Sequence, residues 1–144
     1  MAKNRGTGWH ITNLAAESVL QMLFSIEYGT LNGQTTIGSG IVNITDNISY
    51  NCSSLTGSTS SLGNSSGSAT STINDINGAQ NTYSDDGRKA ISYRGMENPW
   101  GNIWRIIGGL NIFGDSTKHG GVPYICNTYN YTPSQNNGYT SIDF

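Results

Sequence analysis

Ordered hydrophobic patterning in this chain is concentrated in two stretches, and polar, glycine-rich sequence fills the remainder. The first stretch, LAAESVLQMLFSIEY (14–28), is dominated by good helix formers and holds no Gly or Pro before Gly29. Leu20, Leu23, Phe24 and Tyr28 recur at three- and four-residue spacing, and Val19, Met22 and Ile26 widen that apolar surface. The spacing predicts an amphipathic helix of about four turns, buried on more than half of its circumference. MAKNRGTGWHIT (1–12) reads as an irregular lead-in that ends in a helix cap at Thr12 or Asn13, and Gly29 is a natural stop. A helix this apolar needs a sheet or a partner subunit over it.

Beyond residue 40 the helical period gives way to short β-prone runs separated by Gly, Asn, Asp and Ser. IVNIT (41–45) is one such run. Residues 53–72 approach low complexity, with Leu55 and Leu62 as the sizeable apolar side chains. The segment is expected to be a long flexible surface loop, either a bland linker or a contact surface with Ser58 and Asn64 among its polar groups. Asn77-Gly78 and Asp85-Asp86-Gly87 are turn signals, so the region of about 53–90 is rich in loops.

The second patterned stretch spans residues 91–113. ISYRG reads as a strand ending at Gly95, and ENPWGN as a turn in which Pro99 fixes the backbone. NIWRIIGGLNIF reads as a central strand with both faces apolar, Gly108-Gly109 marking a bulge or a close backbone approach. VPYICNTYNYT reads as a last strand, aromatic on its outer half.

Composition narrows the function classes. The chain has 144 residues, the size of one domain, and 11% of them are charged, against about 25% in typical soluble domains. Solubility must therefore come from Ser, Thr, Asn and Gly, as on many extracellular and virion surfaces. A net charge of −2 leaves no basic surface for the counterion release that drives nucleic-acid binding, so no nucleic-acid partner is expected. The helical stretch is interrupted by Glu17, Ser18, Gln21, Ser25 and Glu27, so neither a membrane span nor an export signal is expected. Cys52 and Cys126 read as ordinary thiols. Metal-ligand spacing is missing around them and around His10 and His119, so no metal and no cofactor is expected.

The groups that chemistry could use are His10, His119, Asp85, Asp86, Glu97 and Asp115, and no nucleophile–base pair or paired carboxylate emerges from their spacing. No catalytic residue is expected. The Asp85-Asp86-Gly87 run lacks the alternation of oxygen ligands of a calcium loop and reads as a turn. Glu97-Asn98 precedes Pro99, the reverse of the Glu-Pro-Asn order of sugar-binding lectins, and its expected role is to hold the turn by side-chain to backbone hydrogen bonds. Arg94 and Arg105 are expected to stack on Trp100 or Trp104, or to pair with Glu97. Trp104 is expected in the core, whereas Tyr129, Tyr131 and Tyr139 lie among Asn, Thr, Gln and Ser and are expected to be exposed. Exposed Tyr among Asn, Ser and Gly is the chemistry of adaptable recognition.

Two segments together resemble a known group of proteins. WHITNLAAESVLQMLFSIEYGTLNGQTTIGSGI, and LGNSSGSAT followed by SYRGMENPWGNIWRIIGGLNI, are similar to phage and prophage tail or minor virion proteins of bacteria such as Firmicutes and Bacteroidetes. Trp100-Gly101-Asn102-Ile103-Trp104, with Arg94 and Glu97 beside it, also resembles the signature strand of the formylglycine-generating-enzyme type of C-type-lectin-like fold. That resemblance implies a single α+β domain over residues 1–144, with the N-terminal helix packed on a twisted mixed or antiparallel sheet and long Gly/Ser-rich loops exposed. It implies a non-enzymatic structural module of a virion, made in the bacterial host cytoplasm: a tail, fibre, baseplate or capsid-decorating protein. Such a module would form a homo-oligomer, contact other virion proteins and present loops to a host-surface glycan or protein. Tyr129, Tyr131, Tyr139, Ser58 and Asn64 are the contact residues expected for that role. The enzyme branch of the fold works through a reactive cysteine pair, and neither Cys52 nor Cys126 lies in such a context. A sulfatase-modifying-type enzyme and a secreted adhesin or filament subunit are the rival readings. Members of the phage group are expected to continue for further strands beyond Asp143-Phe144, which leaves a short relative, a processed form, a fragment or completion by neighbouring subunits open.

Overall fold

Asn13 starts the principal helix. Its Oδ1 accepts the Ala16 N–H at 2.8 Å, which satisfies one of the donors that a helix start leaves unpaired. In the computed structural model, which describes residues 5–7, 9–44, 53–74, 77–115, 118–126 and 138–142, helix α1 runs over Leu14–Tyr28. It ends at Gly29, whose φ of 66° is the left-handed conformation that glycine adopts without a steric penalty. A four-residue helix α2, Gly33–Thr36, follows under an Asn32 cap that accepts the Thr35 N–H.

Eight short strands make three antiparallel sheets among the described residues. Strands β1 (Gly67–Ala69), β4 (Ala90–Tyr93) and β5 (Met96–Glu97) pair in the order β1-β4-β5. Strands β2 (Ser71–Asn74) and β3 (Gln80–Tyr83) form a hairpin whose connection carries Asn77-Gly78. Strands β6 (Leu110–Asp115), β7 (Lys118–Ile125) and β8 (Thr140–Ser141) form the third sheet, with a register shift between Phe113 and Asp115. With one long helix and antiparallel sheets, the chain is α+β.

The chain divides into two compact units, Met1–Leu23 with Arg105–Phe144, and Phe24–Trp104. In the first, Gly108 and Leu14 join backbones: the Leu14 N–H donates to Gly108 O at 3.0 Å and the Gly108 N–H to Thr12 O at 2.8 Å. In the second unit all four residues of β4 are buried, and Ile91 and Ile73 are fully inaccessible. Full burial of an isoleucine contributes roughly 2–3 kcal/mol, so these two anchor the unit. Buried Ser71 and Ser92 are satisfied internally: the Ser71 hydroxyl donates to Arg88 O, and the Ser92 hydroxyl accepts the Gly95 N–H.

Four expectations are corrected. First, α1 is not buried over half of its circumference. Phe24 is its one buried residue, Leu20 and Tyr28 are half-buried, and Leu23 is 51% exposed. Second, residues 53–72 are not an open loop: Ser54 bridges Ile73, a 3-10 turn spans Ser60–Leu62, and β1 and the start of β2 follow. Local turns and backbone pairing can order a Ser/Gly segment that has almost no apolar side chains to bury. Third, residues 102–107 form no strand; Gly108 makes an isolated bridge to Asn13, and the antiparallel ladder begins at Leu110. Fourth, the sheet is three separate antiparallel sheets rather than one.

Candidate functional site

Strand β4 turns into β5 through Arg94 and Gly95, with Tyr93 facing Met96. Both turn residues have positive φ, 50° and 83°, as a two-residue hairpin of the twist-compatible type requires. Gly95 takes this conformation freely and Arg94 does not, so external contacts must hold it. The Ser66 hydroxyl accepts the Arg94 N–H at 3.1 Å, and Glu27 of α1 accepts from Arg94 Nε at 2.8 Å and from the Tyr93 hydroxyl at 3.0 Å. Arg94 is the leading influence on Glu27 and holds its carboxyl below the usual range, while burial and the carboxylate push the Tyr93 hydroxyl upward.

The next residues form a second knot. The carboxylate of Glu97 accepts the Gly57 N–H on one oxygen and the Thr59 N–H and hydroxyl on the other, at 2.8–2.9 Å. Burial alone would raise its pKa, and these three donors together outweigh that and hold it below its ordinary value. Asn98, at φ 49°, gives its N–H to Ile91 O, accepts the Ile91 N–H on Oδ1 and donates from Nδ2 to the Ser54 hydroxyl. Asn102 Oδ1 accepts the Ser54 N–H at 2.9 Å, and the Asn102 N–H donates to Ile41 O. Together Glu97, Asn98 and Asn102 fasten residues 54–59 to the turn after β4.

Trp100 is the hydrophobic half of the same arrangement. Its indole N–H donates to Gly38 O at 3.0 Å and Phe24 meets the ring edge-on at 5.7 Å. The ring lies so close over Gly33 that a Cβ there would stand 2.8 Å from it. Tyr28, Tyr93 and Phe24 complete the aromatic cluster. The outer side of the fastened segment leaves Ser60, Ser61, Asn64 and Ser65 exposed, with Leu55 at 38% and Met96 at 41% exposure on the two segments. This surface offers hydroxyl and amide groups from a fixed backbone, which suits hydrogen-bonded recognition.

The sequence-derived residues fall into several classes. Glu97 and Asn98 hold backbone as expected, although Glu97 reaches residues 57–59 rather than its own turn. Gly101, at φ 59°, comes so near Ser39 O that a Cβ would lie 3.0 Å away. Trp104 is a correction: it is fully exposed, flanked by Ile103 at 62% and Ile106 at 80%. Without a strand around it, Trp104 has no sheet face to bury it. The arginine partners are also corrected, since Arg94 pairs with Glu27, and Arg105 with Glu17 at 2.9 Å. Ser58 is half-buried with its hydroxyl donating to Leu55 O, Asn64 lies exposed beside Gly95, and Tyr139 is half-buried rather than exposed. Tyr129, Tyr131 and Cys52 lie outside the described residues, and Cys126 is buried.

Among the titratable groups, Asp85 pairs with Arg88 at 2.7 Å, and Asp86 accepts the Ser39 N–H and hydroxyl, so this turn is held by its own acids. Among the described residues no three His, Cys, Asp or Glu side chains gather as a metal site would need, and no helix is long and apolar enough to cross a membrane. The larger signal absent from the sequence reading is apolar exposure on α1: Val19 at 49%, Met22 at 57%, Leu23 at 51% and Ile26 at 80%. Comparison with protein families, with characterised proteins and with solved structures found no match.

Proposed function

We propose that this chain is a non-enzymatic structural module of a phage particle that assembles through apolar surface and presents its fastened Ser/Asn segment outward. The observation that carries the assembly part is the uncovered face of α1, where Met22, Leu23 and Ile26 are more than half exposed and Val19 is 49% exposed. Contiguous apolar surface of this kind marks an interaction site in soluble proteins. The virion part rests on the resemblance, over most of residues 9–113, to tail and minor virion proteins. Within this reading the fold is of the C-type-lectin-like type, supported by Trp100 of the motif meeting Phe24 of α1, whose ring also packs against Tyr93 of β4. The displayed surface would meet other virion proteins or a host-surface glycan or protein, with Ser58, Asn64 and their neighbours as the contacts.

The test is the solution mass of the full chain by light scattering over a range of concentrations. A mass that is a multiple of 15.4 kDa supports assembly. A monomer at every concentration removes the argument from the helix, and a screen for soluble ligands would take its place.

A further inference from the structure

Two Asn-Gly pairs within the unit Phe24–Trp104 stand in opposite surroundings. At Asn32-Gly33 the pair is locked. The Asn32 Oδ1 accepts the Thr35 N–H at 3.1 Å as the cap of α2, the Asn32 N–H donates to the Thr30 hydroxyl, and the Asn32 O accepts the Thr36 hydroxyl at 2.9 Å. The Gly33 N–H donates to Leu31 O at 3.1 Å, and the Trp100 ring covers Gly33 so closely that an added Cβ would stand 2.8 Å from it. Asn77-Gly78 is the same dipeptide in the connection between β2 and β3. There residues 77–80 are all exposed, the Gly78 N–H has no hydrogen-bond partner among the described residues, and a Cβ on Gly78 would meet nothing within 4 Å.

We propose that Asn77 is a site of spontaneous deamidation, and that the fold directs this reaction to Asn77 and away from Asn32. The Gly78 nitrogen attacks Cγ of the Asn77 side-chain amide. An N–Cγ bond forms, the Cγ–Nδ2 bond breaks, and the Gly78 proton leaves with the amide nitrogen as ammonia. Water then opens the succinimide ring: cleavage at Cγ gives aspartate, and cleavage at the main-chain carbonyl gives isoaspartate, with the backbone rerouted through Cβ. Nothing is oxidised or reduced, and water is the sole co-reactant. Glycine supplies what the attack needs, since no side chain shields the nitrogen and its dihedrals are permissive. At Asn32 the same attack would have to take the cap from Thr35 and the Gly33 N–H from Leu31, and to close a ring beneath Trp100 against the first turn of α2. The product at Asn77 carries one more negative charge on the hairpin connection. Strand pairing resumes at Asn74 opposite Gln80, with Ile73 fully buried next to it, so the change stays in the connection. Older copies of the chain therefore differ from new ones in surface charge while keeping the fold.

The test incubates the full chain at mildly alkaline pH, native and in guanidinium chloride, and digests samples over time with chymotrypsin. Cleavage at Tyr50 and Leu62 places the two pairs on separate peptides. Fragment spectra locate the mass gained when an amide becomes a carboxyl and separate isoaspartyl from aspartyl products. Native protein is expected to convert at least tenfold faster at Asn77 than at Asn32. In denaturant the two rates should fall within about threefold of each other, because the unfolded chain presents the same dipeptide twice. Asn32 converting as fast as Asn77 in the native protein overturns the proposal. So does an Asn77 amide that survives natively while converting in denaturant. A tenfold preference that persists in denaturant assigns the selectivity to flanking sequence and overturns the role of the fold.

Discussion

Glu97 and Thr59 are joined twice through one carboxylate oxygen, which accepts the Thr59 N–H at 2.8 Å and its hydroxyl at 2.9 Å. The other oxygen takes the Gly57 N–H. A carboxylate held in this way works as an internal anchor: it fixes the backbone of a segment that has few apolar side chains with which to fix itself. The display surface therefore depends on an acid whose carboxylate is bound by the segment it holds.

Glu97→Ala should lower the stability of the fold by about 2–3 kcal/mol, since hydrogen bonds to an ionised group contribute roughly 1.5–3 kcal/mol each and part of that is offset by the lost desolvation cost. Glu97→Gln, which keeps one acceptor and loses the charge, should lose about half as much. Urea denaturation measures both. A Glu97→Ala protein as stable as the parent would mean that the segment is held by its own turns.

Acid should weaken the fold through the same kind of group. Glu27, Asp85, Asp86 and Glu97 all have carboxyls held below their ordinary values of 3.8 for Asp and 4.5 for Glu. A depressed folded-state pKa means that the unfolded chain binds the proton first, so the stabilisation is present above the ordinary value and is lost as pH falls through the folded one. The melting temperature is expected to be flat from neutrality to about pH 5 and to fall progressively below the ordinary carboxyl values. Arg94→Gln removes the leading cause of the Glu27 shift and should make that fall shallower. A melting temperature that rises below pH 4 would contradict this.

The two tryptophans of the Trp100–Trp104 segment should behave oppositely. Trp100 is wedged against Gly33 and Phe24, with its N–H on Gly38, so Trp100→Ala is expected to cost about 2–4 kcal/mol, the lower side of the range for deleting a large ring from a core because the residue is half-buried. Trp104→Ala should change stability by no more than about 0.5 kcal/mol, since its side chain meets only solvent. Thermal denaturation of the two variants side by side decides it, and acrylamide should quench the parent's emission in part through Trp104.

The sequence made this contrast hard to see. Trp104 sits in an alternating run, Ile103 to Ile107, that matches a buried strand in every local respect, and alternation alone cannot say whether a neighbouring strand is there to pair with it. The helix was readable to within a residue at its start because its signals are local: a cap at Thr12 or Asn13, an unbroken run of helix formers and a terminal glycine. Its burial was not, because burial belongs to whatever lies opposite. Ile91 and its neighbours in ISYRG were legible as a strand, and Glu97 and Asn98 as turn-holders, from short-range chemistry. The partners of Glu97 lie 38 and 40 positions away, beyond any spacing rule. The same holds for Glu27 and Arg94, 67 positions apart, so the arginine's choice of an acid on α1 could not be read from its flanking tryptophans.

Two glycines of similar backbone conformation separate strain from crowding. Gly29 has φ 66° and Gly40 has φ 74°, so alanine at either position carries the same left-handed penalty, about 1–2 kcal/mol. Around Gly29 an added methyl would meet nothing within 4 Å, whereas at Gly40 it would stand 2.9 Å from the Trp100 carbonyl oxygen and 3.3 Å from the Gly101 Cα, both backbone atoms. Backbone atoms of the Trp100 turn cannot rotate aside as a side chain would. The turn is also tied down, since the Asn102 N–H donates to Ile41 O next door. Gly29→Ala is therefore expected to cost about 1 kcal/mol and Gly40→Ala at least about 3 kcal/mol, the excess reporting the close passage of residue 40 under the tryptophan turn. Equal losses from the two substitutions in urea titrations would mean that the two chain segments do not approach as closely as this, and that Trp100 is held by its ring alone.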